Sequence, residues 1–512
     1  MNIMKRILFI PFIMVMISLC GSPQHFENSF PDEKVEVQKN GDRIDNLKKE
    51  FNHGEGMIER ISVSGENPFY WQYKNTPVVL LGGSWQDNLF NHPVGLEAHL
   101  DKLSSVGGNY VRNTMSHRNV GNVFAYEQDE NGRFNLDRFN EEYWRRFRNF
   151  LELCYRRDII VQIEIWEPHD LCGDHQSFGG WSHNPFNPQN NINYTLEETG
   201  MPETVDYRPG EEPSDHPFFR TVPKLNHNKL VLKYQQAYVD KVLSIAFQYP
   251  NTLFCISNES GEVMEWSDYW ADYVHAEAKA AGIKAHVTEM RRKPDIRSID
   301  HQMVFDFPER YTFLDISQNN SHYGLGQRHY DNIMYVRAYI SENKRPVNNV
   351  KNYGSNRHGE NESIARFCRM VFAGCASARF HRPHPYEDPA AHEASSEWGL
   401  GLSFQAQQVI QSMRWVMDQI EFAATRPGND LLLDREENEA YLLAQPDEQY
   451  AIYFPKGGEV TLALPSVGKS WEIRWRNVLD GQVREEGPID GGASVPIKTP
   501  GRGHWVAVIL SK

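Results

Sequence analysis

Cysteine is scarce in this chain, at 6 of 512 residues, and no two are spaced as CxxC. That excludes a disulfide framework and the usual zinc spacings. No HExxH occurs either, and His169, His175 and His183 have no fixed ligand spacing, so no metal and no cofactor is assigned. Positive charge is also short, with 53 Lys and Arg against 68 Asp and Glu and a net charge of −15. Nucleic acid and anionic membrane surfaces are therefore excluded as main partners. The apolar run Ile7 to Leu19 is too short to span a bilayer comfortably.

That run follows Lys5 and Arg6, which marks it as the h-region of an export signal. Ile17-Ser18-Leu19-Cys20 resembles a bacterial lipobox with Cys20 as the lipidated residue, although Leu19 departs from the small residue usual before that Cys. The expected location is the cell envelope or outside the cell. The only membrane contact expected is a lipid anchor at Cys20. The other cysteines (Cys154, Cys172, Cys255, Cys368 and Cys375) read as buried free thiols.

Length and pattern divide the chain into a signal peptide (1–20), a polar tether (21–58), a barrel (59–428) and a small β-sandwich (429–512). Strand-like runs near residues 78–81, 110–113, 159–166, 253–257, 286–289, 313–317, 346–350 and 378–381 alternate with helical apolar spacing. Eight such units predict a (β/α)8 TIM barrel. A long Asn-, Pro- and Gly-rich insertion covers about residues 174–228, as expected of a segment that shapes a cleft. Short strands between Gly-Gly and Asp-Gly turns predict the antiparallel sandwich.

Asn258-Glu259 ends the fourth strand, where barrel enzymes place catalytic groups. A carboxyl group there suits protonation of a glycosidic oxygen, and the Asn suits a neighbouring sugar hydroxyl. Pro77-Val78-Val79-Leu80-Leu81-Gly82, Asn109-Tyr110-Val111-Arg112, Ser257-Asn258-Glu259, Tyr453-Phe454-Pro455-Lys456-Gly457-Gly458 and Gly503-His504-Trp505-Val506 together resemble clan A glycoside hydrolases. The particular likeness is to apiosidase-like barrels with a C-terminal collagen-binding-like sandwich. The resemblance implies Glu259 as the acid/base and Asn258 as its hydroxyl-binding partner. It also implies a nucleophilic Glu on strand seven, yet that strand reads Pro346 to Gly354 without a carboxylate and with Lys351 near the place.

Glu164 or Glu167, at the end of strand three beside Trp166, is the candidate second carboxylate; a salt-bridge cluster anchoring the insertion is the equal alternative. An ion pair with Arg291, Arg292 or Lys293 is expected for Glu289. Arg112, Lys351, Arg379, His381 and Arg382 should gather at the barrel mouth. There they would either receive a uronate or sulfate or orient barrel carboxylates, the second being favoured for Arg112. The amides and rings of Trp181 to Tyr194 suit a sugar subsite or their own packing equally. The expected function is hydrolysis of a complex polysaccharide or oligosaccharide, acidic or neutral. A non-catalytic sugar-binding barrel and a lyase with Lys351 as base are the alternatives.

Overall fold

The computed structural model describes residues 59–173, 180–206, 215–320, 324–354, 358–383, 399–464 and 467–511. The expected signal peptide, tether and anchor at Cys20 lie outside the described residues, as do His175 and the end of the cationic segment at His384.

Eight parallel strands each precede a helix. The strands are β1 (Leu80–Gly83), β2 (Tyr110–Thr114), β3 (Ile160–Trp166), β4 (Thr252–Ser257), β5 (Val287–Thr288), β6 (Leu314–Asp315), β7 (Val347–Asn348) and β8 (Ser377–Phe380). The helices are α1 (Leu96–Ser105), α2 (Glu141–Tyr155), α3 (Lys229–Ala246), α4 (Met264–Ala280), α5 (Ile299–Phe305), α6 (Gly326–Tyr339), α7 (Gly359–Phe372) and α8 (Phe404–Gln419). Six strands form one sheet in the order β5-β4-β3-β2-β1-β8, and β6 pairs with β7. The pair adjoins β8 through Ala376 N–H, which donates to the Val347 carbonyl at 2.8 Å. Between β5 and β6 the link is a side chain, with Thr312 Oγ1 accepting from Val287 N–H at 3.0 Å.

The β3 and β4 strands are buried along their whole length, as the near-continuous apolar runs of parallel strands require. Gly82 lets β1 approach β2, since a Cβ there would lie 1.9 Å from the Tyr110 carbonyl oxygen. Leu80, Tyr110, Ile160, Leu253, Met290, Phe313, Val350 and Ala376 meet in one apolar cluster inside the strands. Trp71, from a short three-stranded ribbon that precedes β1, packs edge-on to Phe313 within that cluster. Its indole N–H donates to Asn348 Oδ1 at 2.9 Å.

The C-terminal strands are β9 (Arg426–Pro427), β10 (Leu432–Leu433), β11 (Tyr441–Gln445), β12 (Gln449–Phe454), β13 (Glu459–Leu464), β14 (Ser470–Asn477), β15 (Val483–Asp490), β16 (Ala493–Lys498) and β17 (Trp505–Ser511). They form two antiparallel sheets, β9-β11-β12-β17-β14-β15 and β10-β13-β16. Side chains alternate across β12. Tyr450, Ile452 and Phe454 join the core between the two sheets, while Ala451 and Tyr453 join the core shared with the helices. Both faces are covered, which is why β12 has no polar alternation.

Candidate functional site

The C-terminal ends of the strands hold a buried network of opposite charges. Arg112 on β2 grips Glu164 on β3 with two bonds, Nε to Oε1 at 3.0 Å and Nη2 to Oε2 at 2.7 Å. Its Nη1 reaches Asp87 at 2.9 Å. Asp87, after β1, also accepts from Arg382 Nε at 2.6 Å and lies 3.5 Å from Arg118. Burial opposes ionisation of Asp87, but Arg112, Arg382, His381 and Arg118 outweigh it and hold its carboxyl well below the usual range. Burial dominates at Glu164 and raises its pKa despite Arg112 and Lys351. Glu164 is fully buried, with both oxygens occupied by a guanidinium, so it offers no oxygen to a substrate.

Glu167 follows β3, where the chain leaves the strand for a single 3-10 turn over Pro168–Asp170. Both its oxygens accept from Asn258 Nδ2, at 3.0 and 2.7 Å. His169 Nδ1 lies 2.6 Å from it and Arg118 Nη1 3.0 Å. Burial works against its charge, but Arg118 and His169 hold its pKa far down. The departure from strand geometry brings Glu167 into the same network as Glu164, although regular alternation places the two on opposite faces.

Glu259 differs from these in access. Its backbone is left-handed (φ +56°), which turns the side chain out of the strand line, and the side chain is 15% exposed. Lys351 Nζ at 2.5 Å, Tyr353 OH at 2.8 Å and Gln318 Nε2 at 3.1 Å all donate to Oε1. Burial opposes the charge, yet Lys351, His169 and Tyr353 hold the carboxyl well below its ordinary value. It therefore stands ionised at neutral pH. Lys351 also donates to Asn258 Oδ1 at 2.5 Å, so the Asn258 amide is spent on protein partners at both ends. His169 is 20% exposed, which opens this side of the network to solvent along with Glu259.

The cations expected to receive an anion are at the strand ends but buried. Arg379 donates to the Val350 carbonyl at 2.5 Å and to Ser84 Oγ, and burial pushes its pKa down to about 9. Arg382 is held by Asp87, and His381 lies 3.7 Å from the same carboxylate. Burial keeps His381 neutral by driving its pKa well below the usual value. Phe380, between them, turns the other way and stacks on Phe367 of α7 at 4.4 Å. Lys351 has a 2% exposed side chain, and its Nζ donates to Glu259 and Asn258, so its amine is turned onto protein partners.

Trp166 is likewise enclosed, packed against Tyr238, Trp266 and Trp270, and it borders a small cavity shared with Glu167 and Asp170. Many of the insertion's amides and rings are engaged in its own packing, while Asn184, Pro185 and Phe186 also line that cavity. Asn184, Asn187, Asn190 and Asn191 donate to backbone carbonyls, and Trp181 packs on His216 and Phe218. The cysteines after Cys20 are free and buried. Arg118, Gln318 and Tyr353 escaped the sequence reading. Tyr353 had a signal, since alternation from Lys351 brings both to one face; Arg118 and Gln318 lie beyond their strands and had none.

The expected ion pair of Glu289 is not formed. Its oxygens instead accept from Ser257 N–H at 2.9 Å and Ser267 Oγ at 3.0 Å. Burial pushes its pKa up to about 7, against Arg291 and these hydrogen bonds. The folded chain therefore keeps a proton that the unfolded chain has already lost above about pH 4.5. Stability should fall as pH rises from about 4.5 to 7 and level off above. In urea titrations at pH 5 and pH 8, Glu289→Gln should shrink the wild-type difference by roughly 1–3 kcal/mol. An unchanged difference would mean the proton is not held.

No family model matches this sequence, and no curated protein matches it. Solved structures do. A glycoside hydrolase family 5 protein from Bacteroides vulgatus superposes with a TM-score of 0.60 at 15% identity, covering 88% of this chain and 93% of its own. A second glycoside hydrolase gives a TM-score of 0.60 at 15% identity, with 88% and 97% covered. At such identity the likeness is one of fold. The chain has the architecture of these glycoside hydrolases, a parallel-stranded α/β core of TIM-barrel type with antiparallel sheets at its C-terminal end.

Proposed function

We propose that this protein is a glycoside hydrolase acting on a polysaccharide or oligosaccharide, with Glu259 at the centre of reaction. The observation that carries this reading is the access of Glu259. Among the carboxylates near the strand ends, Asp87, Glu164, Glu167, Asp170 and Glu289 are buried, while Glu259 opens to solvent and is held ionised. The finer readings are a closed eight-stranded barrel of apiosidase-like type (59–428), a collagen-binding-like sandwich (429–512), and export with a lipid anchor at Cys20.

The ionised state changes the role first expected of Glu259. A carboxyl held by Lys351 and Tyr353 is a poor proton donor and a serviceable base. In this reading Glu259 takes a proton from water as its oxygen attacks the anomeric carbon. His169, steadied through Nδ1 by Glu167, gives a proton from Nε2 to the glycosidic oxygen as the C–O bond breaks. The sugar leaves with inverted configuration.

His169→Asn should then lower kcat by roughly 10²–10⁴ on glycosides with alkoxide leaving groups. Dinitrophenyl glycosides, which need no proton, should lose far less. Proton NMR of the first product should show inversion. Equal losses on both substrates would remove His169 as the acid, and retention would remove the scheme. The neutralisation of Glu259 by Lys351 at 2.5 Å also supports a second reading, a barrel that binds sugar without cleaving it. Saturable binding without any release of reducing ends would establish that instead.

A further inference from the structure

Asn258, 2% exposed at the end of β4, stands between an anion and a cation. Its Nδ2 donates to Glu167 Oε1 at 3.0 Å and to Oε2 at 2.7 Å, and its Oδ1 accepts from Lys351 Nζ at 2.5 Å. A carboxylate only accepts and an ammonium only donates, so the two partners fix which end of the amide is which. An aspartate in this place would bring no donor to Glu167, and a leucine would match neither neighbour.

Each partner in turn supports a group that reaches solvent. Glu167 Oε1 lies 2.6 Å from His169 Nδ1, and Lys351 Nζ donates to Glu259 Oε1 at 2.5 Å. Tyr353 and Gln318 converge on that same oxygen of Glu259. Among the described residues nothing donates to Oε2, and it is not enclosed, so it is the oxygen turned to solvent. His169 Nε2 is likewise open and without a partner among the described residues. A series of hydrogen bonds thus runs from His169 through Glu167, Asn258 and Lys351 to Glu259, with a solvent-facing atom at each end. It joins the turn after β3, the end of β4 and the segment after β7.

We propose that Asn258 is a positioning residue that ties the proton-giving His169 to the proton-taking Glu259, both roles being those of the hydrolase reading. Both ends of its amide belong to protein, which takes it away from the sugar hydroxyl first expected as its partner. A misplacement of about 1 Å in a reacting group can lower a rate about 10²-fold, so loosening the tie acts on kcat rather than on binding. The charged groups around the amide are Glu167, with Arg118, His169 and Arg112 beside it, and Lys351 paired with Glu259.

The test is Asn258→Asp, alone and together with Glu167→Gln. Hydrolysis of p-nitrophenyl glycosides and the urea midpoint are measured at pH 5 and pH 8, each relative to the unmodified protein. Asn258→Asp keeps the acceptor for Lys351 but sets a second carboxylate against Glu167. Two buried carboxylates in contact cannot both ionise, so they share a proton in acid and repel once it is lost. At pH 5 the variant should keep kcat within about tenfold, and at pH 8 it should fall about 100-fold or more, with KM changed less than about threefold. Its urea midpoint should drop only at pH 8. Adding Glu167→Gln reverses donor and acceptor at the same net charge, because the new amide gives an N–H to the introduced carboxylate and turns its oxygen to His169. The double variant should regain about tenfold or more in kcat at pH 8, along with the midpoint. An equal loss at both pH values, or a double variant no better than the single one, overturns the proposal while leaving Glu259 and His169 as assigned. A raised KM with kcat unchanged also overturns it and returns Asn258 to a sugar hydroxyl. Should Asn258→Asp fail to fold, the double variant must still fold, since its hydrogen bonds are matched; failure of both overturns the tie. Midpoints that follow the expected pattern in a protein that cleaves nothing keep the tie and remove the hydrolase.

Discussion

Glu259→Gln is expected to lower kcat on aryl glycosides by roughly 10²–10⁴ while sugar affinity changes little. The amide keeps the shape of the side chain and an oxygen that can still accept from Tyr353 and Gln318. What it lacks is the charge that takes a proton. The same substitution leaves Lys351, 1% exposed, without its counter-charge, and one unmatched buried ion costs several kcal/mol. Stability must therefore be measured beside rate. In the double variant Glu259→Gln with Lys351→Met, the unpaired cation is gone, so folding stability should return towards the starting value while activity stays lost. Recovery of activity along with stability would show that the charge served structure alone. Retention of more than about a tenth of the rate by the single variant would take Glu259 out of the reaction.

Arg112→Leu should be the most damaging change to folding. The guanidinium spans three strand ends, meeting Glu164 on β3 and Asp87 after β1 from its own place on β2. Leucine would leave two buried carboxylates facing each other with their main partner gone. Loss of one partner from a buried pair costs about 3–5 kcal/mol. The expected outcome is a large fall in the urea midpoint, or no soluble protein. Arg112→Leu with Glu164→Leu removes both charges of the closest pair and should recover part of the loss. If the single variant unfolds at the wild-type midpoint, the network is not holding the mouth together.

The parallel core was legible because its signals are long and local. Each of the eight strand segments read from the sequence carries a strand, and each is followed by a helix. The β5, β6 and β7 strands shrink to two residues because polar and turn-forming residues such as Pro346, Asn348 and Asn349 leave little apolar run to pair. The position of Glu259 was also legible, since it ends a recognisable apolar strand. Its ionisation was not. That depends on Lys351 and Tyr353, 92 and 94 residues away in the chain, and on how a left-handed backbone directs the carboxylate towards them. Arg379 and Arg382 misled for a related reason. Their positions at a strand end were readable, but whether an arginine there meets solvent or a carboxylate is decided by partners such as Asp87, 295 residues earlier than Arg382. Charge in the sequence does not reveal whether it is already matched.

That separation has a consequence for how the chain assembles. Arg112 and Arg118 come early enough to match Asp87, Glu164 and Glu167, whereas Glu259 waits for Lys351 and Tyr353 in the last third of the chain. A nascent or truncated chain that stops before β7 must either keep the Glu259 carboxylate hydrated or protonate it to bury it. The Glu259 corner of the mouth is completed only once β7 has been made, whereas the Arg112 corner can close as soon as β3 is in place.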